Sequence, residues 1–105
     1  MNAQLLVMYP TPKDPKTFER VYREEHLPYA GPRLKGATGV VSKRVATAPG
    51  ESSKFHAVSV VTFPSLEALQ SCAASASGKE ALAHATSIST GGAPTFLVVT
   101  DDFAS

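Results

Sequence analysis

The sequence has one cysteine and no tryptophan, and its charges nearly cancel. Ten lysine and arginine residues stand against nine aspartate and glutamate residues, which gives a formal net charge of +1. No basic cluster is long enough to follow a phosphate backbone, so we expect no nucleic-acid partner. A lone cysteine forms no internal disulfide, which favours a reducing compartment, and we expect Cys72 to be a small buried side chain.

Long hydrophobic runs are also missing. The apolar stretches at residues 5–8 and 96–99 are far shorter than the roughly 20 residues that span a bilayer. The first residues lack the basic start of a secretory signal, and Tyr9 and Pro10 interrupt any apolar run that follows. We therefore expect no membrane association and a cytoplasmic location.

The composition that remains is typical of a globular protein, with 43% hydrophobic and 18% charged residues. A chain of 105 residues fits a single domain spanning residues 1–105. Apolar β-rich runs predict strands at residues 4–9, 40–47, 54–63 and 95–100. Pro49 and Gly50 mark the turn between the second and third strands, and the predicted order is βαββαβ.

The first predicted helix begins with Asp14 as its N-cap and Pro15 at its first helical position. Pro28 disfavours helical geometry in the residue before it, so we expect the helix to end near Glu25 or His26. A loop then carries the chain to the second strand.

The second predicted helix begins at Ser65, whose side chain can cap it. Ser77 and Glu80 have the spacing of a capping box, so we expect a break near Gly78 and a second helical segment after it.

The strands carry apolar residues on both faces. On the third strand Val61 and Phe63 point one way while Val58 and Val60 point the other. Crossover connections of fixed hand put both helices on one side of the sheet, which leaves the other side bare. A bare apolar face predicts that a second copy covers it, as a homodimer through the sheet face.

His26 is the strongest candidate for chemistry. Phe18, Tyr22 and His26 recur at four-residue steps, so the histidine ends the inward stripe of the first helix. One interpretation is a general acid or base with a pKa suited to proton transfer near neutrality. The alternative is a hydrogen-bonded histidine that caps the helix C-terminus. The sequence leaves both open.

Tyrosines and other aromatic residues are weaker candidates. Tyr22 and Tyr29 each carry a phenolic proton to offer, but each is also a common packing residue. His56 shares a predicted strand face with Val58 and Val60, where it either lines a cavity or lies in solvent. His84 faces the sheet or water. The candidate pocket-lining residues are Tyr9, Phe18, His56 and Phe96.

The sequence offers no metal or cofactor motif. Its three histidines are far apart, with no zinc-type spacing and no carboxylate close to them in the chain. It also lacks a glycine-rich phosphate loop and a nucleophile elbow. We expect any chemistry to proceed without a bound cofactor or metal.

A set of prolines, aromatic residues and a histidine occupies the N-terminal third: Tyr9, Pro10, Pro12, Asp14, Phe18, Tyr22, His26 and Pro28. Together they resemble the opening signature of the EthD family, over about residues 5–45. Gly36 is similar to the loop glycine of that family, whereas Lys35 stands where the family pattern has proline.

The resemblance implies an α+β, ferredoxin-like protomer with a four-stranded antiparallel sheet, helices on one face, and pairing into a dimeric α+β barrel. It also implies a role in oxidative degradation or modification of small organic molecules, such as ethyl tert-butyl ether. Similar barrels include cofactor-free monooxygenases, polyketide cyclases, decarboxylases and lactone isomerases, and fold analogy does not choose among them.

Three hypotheses follow. The first is a catabolic or secondary-metabolic enzyme with a pocket between the sheet and the first helix, His26 at its polar end, and Tyr22 and Tyr29 beside it. An apolar pocket suits a hydrophobic ligand with a carbonyl or phenol group. The second is a binding protein that delivers such a compound to an oxygenase. The third is a purely structural dimer.

Overall fold

The computed structural model describes residues 2–47 and 53–104, so the predicted turn at Pro49 and Gly50 lies outside the described residues. Four strands form one sheet: Ala3–Pro10 (β1), Gly39–Arg44 (β2), Phe55–Phe63 (β3) and Thr95–Val99 (β4). The sheet order is β2-β3-β1-β4 and every pairing is antiparallel. The predicted βαββαβ order and antiparallel sheet are confirmed, although β2 ends before the predicted residue 47.

The first helical region is longer than predicted. It runs through Pro15–Val21 (α1), a π-helical turn at Tyr22–His26, Leu27–Ala30 (α2) and a 3-10 turn at Gly31–Arg33. Its predicted start is confirmed, because the Asp14 carboxylate accepts a hydrogen bond from the backbone N–H of Thr17. Its predicted end near residue 25 or 26 is wrong.

Pro28 is accommodated by the π-helical turn. Proline has no N–H to donate, and its ring crowds the carbonyl four residues earlier. The backbone N–H of Leu27 bonds to the Tyr22 carbonyl, five residues back, which widens the turn directly before the proline. The helix therefore continues where a regular α-helix stops.

The second helical region consists of Leu66–Ala74 (α3) and Ala76–Ile88 (α4). Ser65 caps α3 as predicted, accepting from the backbone N–H of Ala68. The break lies at Ser75 and not near Gly78, and Ser75 itself caps α4 by accepting from the Gly78 N–H at 3.0 Å. The predicted capping box is thus wrong. A Cβ on Gly78 would lie 1.8 Å from the Cys72 carbonyl oxygen, so the glycine permits close packing of the two helices.

All helices pack on one face of the sheet, as predicted. Along β1 the helix-facing residues Ala3, Leu5, Val7 and Tyr9 are buried, and they form the core with Val61 and Phe63 of β3 and residues of the helices. Cys72 belongs to this core. Within residues 2–47 and 53–104, no helix is both long enough and apolar enough to cross a membrane.

The opposite face of the sheet is uncovered by any helix of the described chain. An apolar row crosses all four strands, because Val41 pairs with Val60, Val60 with Leu6, and Leu6 with Leu97. We call this surface the open face. Val41 is 55% exposed and Leu97 is 47% exposed, so the predicted two-faced apolar sheet is present.

Candidate functional site

A groove opens between the first helical region and strands β2 and β3. Its volume is about 320 Å³, which is the size class of pockets that hold small organic ligands. One wall comes from α1 and the π-helical turn, and the floor comes from strand residues that point toward the helices. The lining residues are Phe18, Glu19, Tyr22, Arg23, Leu27, Ser42, Lys43, Arg44, Ala57 and Ser59.

Three hydroxyl groups meet at the floor of the groove. Tyr22 is buried, and its hydroxyl is hydrogen-bonded to the hydroxyls of both Ser42 and Ser59. The two serines are neighbours because Ser42 of β2 pairs with Ser59 of β3. This hydroxyl cluster of Tyr22, Ser42 and Ser59 offers donors and acceptors to one polar atom of a ligand. The surrounding Phe18, Leu27 and Ala57 side chains suit an apolar body.

Aromatic packing holds Tyr22 in position. The Phe18 and Tyr22 ring centroids lie 6.0 Å apart, and Tyr9 meets Tyr22 edge-on at 5.9 Å. Tyr9 and Phe18 also contact each other, with centroids 5.0 Å apart. Tilted and edge-to-face pairs of this kind stabilise a fixed arrangement of rings.

The outer rim of the groove carries an ion-pair network centred on Glu19. The Arg44 guanidinium donates two hydrogen bonds to the Glu19 carboxylate, at 2.8 and 2.7 Å. His56 donates from Nε2 to the same carboxylate at 2.9 Å, and Arg23 lies 3.9 Å away. The hydrogen bonds from Arg44, and after them the one from His56, hold the pKa of Glu19 at about 2 against the opposing effect of burial.

Behind Tyr22 lies a smaller inner cavity of about 30 Å³. Tyr22, Ser59 and Leu27 belong to the walls of both spaces, so the hydroxyl cluster separates the groove from the cavity. The Tyr9 side chain borders the cavity, and its buried hydroxyl has no hydrogen-bond partner among the described residues. Burial, followed by the nearby Tyr22, raises the pKa of Tyr9 far above its ordinary value.

His26 and His84 form a pair at the edge of this cavity. Their Nδ1 atoms are 2.8 Å apart, their ring planes differ by 5°, and the centroids are 5.1 Å apart. The rings therefore meet edge to edge in one plane and share a hydrogen bond. Burial, and secondarily the neighbouring His84, lowers the pKa of His26 to about 4, so this buried imidazole is neutral at neutral pH.

The π-helical turn brings Tyr22 and His26 together. They are its first and last residues, both are buried, and their ring centroids lie 5.3 Å apart. Single π-helical turns within α-helices occur frequently at functional sites. Because the helix continues past His26, the interpretation of this histidine as a helix C-terminal cap is wrong.

The predicted site residues are only partly brought together. Tyr22 and Phe18 line the groove, while Tyr9, Tyr22 and His26 border the inner cavity. Tyr29 lines neither space, contrary to the prediction. Its ring stacks on His84 with centroids 4.4 Å apart, and the Arg33 guanidinium lies 3.7 Å from its centroid on the surface.

Phe96 and His56 also differ from their predicted positions. Phe96 lines neither the groove nor the inner cavity; it lies on edge strand β4 and is 40% exposed. His56 does not share the open face with Val58 and Val60. A register shift opposite Tyr9 and Pro10 turns its side chain toward the helices, where it meets Glu19 and lies edge-on to Phe18.

Sequence reasoning missed Ser42, Ser59, Glu19 and the role of His84. The available signal for the serines was their polarity at inward positions of otherwise apolar strands. No comparable signal existed for His84, which is 58 positions from its partner.

The described residues contain no group of three or more His, Cys, Asp or Glu side chains arranged to hold a metal ion. The groove offers hydroxyl groups and paired charges in place of such a cluster. The hydroxyl cluster supplies hydrogen-bond donors and acceptors at the floor of the groove, and the histidine pair lies behind it.

Comparison with protein families gives one match, to the EthD domain, over residues 11–85. This range contains the first helical region, β2, β3 and most of the second helical region. It therefore includes Tyr22, Ser42, Ser59 and both members of the histidine pair. No curated protein sequence matches the chain.

Several solved structures share the fold. An EthD family protein from Bacillus halodurans superposes with a TM-score of 0.83 at 22% identity, covering 97% of this chain and 100% of that one. A dimeric ferredoxin-like protein of unknown function from Jannaschia superposes with a TM-score of 0.68 at 17% identity, covering 96% of this chain and 100% of that one. SnoaB, a cofactor-independent oxygenase from Streptomyces nogalater, superposes with a TM-score of 0.65 at 14% identity, covering 98% of this chain and 95% of that one. At these identities the likeness establishes the ferredoxin-like fold.

Proposed function

Since this chain belongs to the EthD domain family, we propose that it binds a small, largely apolar organic compound with a carbonyl or phenol group and promotes its chemical modification. The observation that carries the proposal is the groove between the first helical region and the sheet, with the hydroxyl cluster at its floor. Apolar walls bind the body of such a ligand, and a few placed polar groups orient its oxygen atom.

Tyr22 is the proposed catalytic residue. Its hydroxyl donates to a ligand carbonyl oxygen and passes its proton to that oxygen as an enol forms. The α-carbon of the ligand loses its proton to solvent at the open side of the groove. The products balance, because the ligand gains one proton at oxygen and loses one at carbon. General acid catalysis of this kind contributes roughly 10²–10⁴-fold to a rate.

His26 is the proposed acid that restores the Tyr22 proton. Both residues border the inner cavity, and a cavity of about 30 Å³ accommodates a bridging water-sized molecule. Neutral His26 then gives the proton at Nε2, the nitrogen that does not face His84. His26 thus keeps its predicted acid/base role in this proposal, but it exchanges its proton with Tyr22 and does not contact the ligand.

An oxidative outcome extends the same step. An enol carries an electron-rich carbon that reacts with dioxygen as co-reactant. A ring-activated methylene group then becomes a carbonyl, and the second oxygen atom leaves as water. The EthD family and the fold shared with a cofactor-independent oxygenase support this direction.

We also infer that a second copy of the chain covers the open face. The row formed by Leu6, Val41, Val60 and Leu97 is apolar across all four strands, and self-association is the commonest way to bury such a surface. The dimeric state of the ferredoxin-like protein from Jannaschia supports this inference. The groove lies on the other side of the sheet and stays accessible.

The proton-transfer step is tested with 2-tetralone, a bicyclic ketone, in D2O. We expect the protein to accelerate deuterium incorporation at the α-carbons, followed by NMR. Tyr22→Phe removes only the hydroxyl and is expected to lower the accelerated rate roughly 100-fold. Tyr29→Phe is the matched control, because Tyr29 lies outside the groove, and it is expected to keep the wild-type rate. Equal rates in the two variants contradict the role of Tyr22.

A further inference from the structure

The contact between His26 and His84 requires one nitrogen to donate and the other to accept. Both rings use Nδ1, at a separation of 2.8 Å, so one Nδ1 carries a proton and the other does not. The proton on that bond therefore fixes the tautomer of both rings. If His84 Nδ1 is the donor, neutral His26 carries its proton on Nε2; if His26 Nδ1 is the donor, neutral His26 has a free lone pair at Nε2.

The two histidines differ in exposure. His26 is 7% exposed and borders the inner cavity, whereas His84 is partly exposed at the surface of α4. The pair thus connects a buried space with solvent through two rings. The Arg33 guanidinium lies on the Tyr29 ring that stacks on His84, and Glu80 precedes His84 by four residues on α4, within one turn of the helix. Tyr22 contacts the inner ring, and no carboxylate of the described residues is hydrogen-bonded to either histidine.

From this geometry we infer that His84 is a positioning and proton-relay residue, and that His26 and His84 move a proton between the inner cavity and solvent as one unit. The inference deepens the proposed acid/base function of His26 and rests on it. When His26 gives its Nε2 proton to Tyr22, the Nδ1 proton of His84 moves to His26 Nδ1, and water protonates His84 Nε2. The histidine pair thus takes up one proton from water at His84 and gives up one proton to Tyr22 at His26.

This coupled transfer avoids a buried charge. If neutral His26 alone gave up its Nε2 proton, an imidazolate ion would remain, and if it were protonated first, an imidazolium ion would form; burial in an apolar cavity disfavours either charge. In the coupled transfer each ring gains one proton and loses one, so both rings begin and end neutral. A buried neutral histidine of low basicity is therefore an adequate proton donor when His84 resupplies it.

The pair is tested first without any ligand, by long-range ¹H–¹⁵N correlation spectra of histidine-labelled protein between pH 4 and 9. We expect the Nδ1 signals of His26 and His84 to change together, with shifts that show one shared proton. In His84→Phe the His26 tautomer pattern is expected to change and the pKa of His26 to rise. His56 is the internal control and is expected to keep its signals. A His26 pattern unchanged by His84→Phe overturns the inference.

The second test uses His84→Gln, which keeps a hydrogen-bonding side chain but does not relay a proton. We expect deuterium exchange into 2-tetralone to slow by roughly tenfold or more, with little change in the concentration that half-saturates the rate. An unchanged rate in folded His84→Gln overturns the relay. If the wild-type protein catalyses no exchange, the proposed function fails, while the ligand-free spectra still decide whether the pair shares a proton.

Discussion

Glu19 is the residue on which the rim of the groove depends. It accepts hydrogen bonds from Arg44 on β2 and His56 on β3, so one carboxylate joins α1 to two strands. Among the described residues, the other polar contacts between α1 or the π-helical turn and strands β2 and β3 are those of the hydroxyl cluster. We therefore assign Glu19 a structural role in holding the groove walls.

Glu19→Gln is expected to change the pH dependence of stability. The pKa of Glu19 is lowered from 4.5 to about 2 in the folded protein, so its stabilising effect is present above pH 4.5 and is lost as the pH falls toward 2. Across that range the free energy of unfolding of the wild type should fall by about 1 kcal/mol more than that of Glu19→Gln. The difference is small because solvent screens the ion pairs. Urea unfolding at several pH values measures the difference.

Glu24→Gln is the matched control for this measurement. Within residues 2–47 and 53–104, Glu24 pairs only with Arg20, at 3.7 Å, and its side chain is 61% exposed. We expect its pH profile to follow the wild type. A Glu19→Gln profile that also follows the wild type contradicts the assigned role.

The sequence around a residue was sufficient to predict helix caps but not the residues of the candidate site. Asp14 and Ser65 were predicted as helix caps because a cap is defined by its immediate neighbours in the chain. His84 and Ser59 were not predicted as site residues. Their partners come from other elements, and only the fold determines that they meet.

Two helix boundaries depend on contacts between residues that no local sequence pattern reveals. Pro28 predicted a helix end, but the π-helical turn before it lets the helix continue. The same turn places the Tyr22 ring against the His26 ring. Gly78 indicated a break, but it serves as the contact point between α3 and α4. The placement of both helices on one face, in contrast, followed from crossover handedness, and the four-stranded antiparallel sheet was expected from the family resemblance.

Gly78→Ala tests the close packing of α3 and α4. A Cβ at this position overlaps the Cys72 carbonyl oxygen, so the helices must separate. We expect destabilisation of about 3 kcal/mol or more, measured by urea unfolding. Gly39→Ala is the control, because a Cβ added there meets nothing within 4 Å beyond its chain neighbours, and Gly39 lies in strand β2 without a positive φ. It is expected to be neutral or stabilising by up to about 1 kcal/mol. Similar stabilities for both variants contradict the packing argument.

Edge strand β4 presents apolar residues on both faces of the sheet. Leu97 belongs to the open face, while Val98 pairs with Leu5 and faces the helix side. Their exposed fractions are nearly equal, at 47% and 46%. A charged substitution at Leu97 places the charge on the open face, whereas the same substitution at Val98 places it on the helix side of the same strand. Comparing the two shows whether association depends on the open face.

Leu97→Glu is expected to weaken the proposed homodimer, because each copy of the chain would then bury an unpaired carboxylate in the interface. We expect the dimer dissociation constant to rise by about tenfold or more, measured by sedimentation equilibrium. Val98→Glu is the matched control and is expected to leave association unchanged. A wild-type protein that sediments as a stable monomer at micromolar concentration contradicts the dimer.

An NMR titration of the labelled protein with 2-tetralone shows directly whether the groove binds a ligand. We predict that saturable backbone shifts concentrate at Ser42, Ala57 and Ser59, along the floor of the groove, and leave Leu6 and Leu97 on the open face unchanged. Shifts confined to the open face, or none at a ligand concentration near its solubility limit, contradict a ligand site between the first helical region and the sheet.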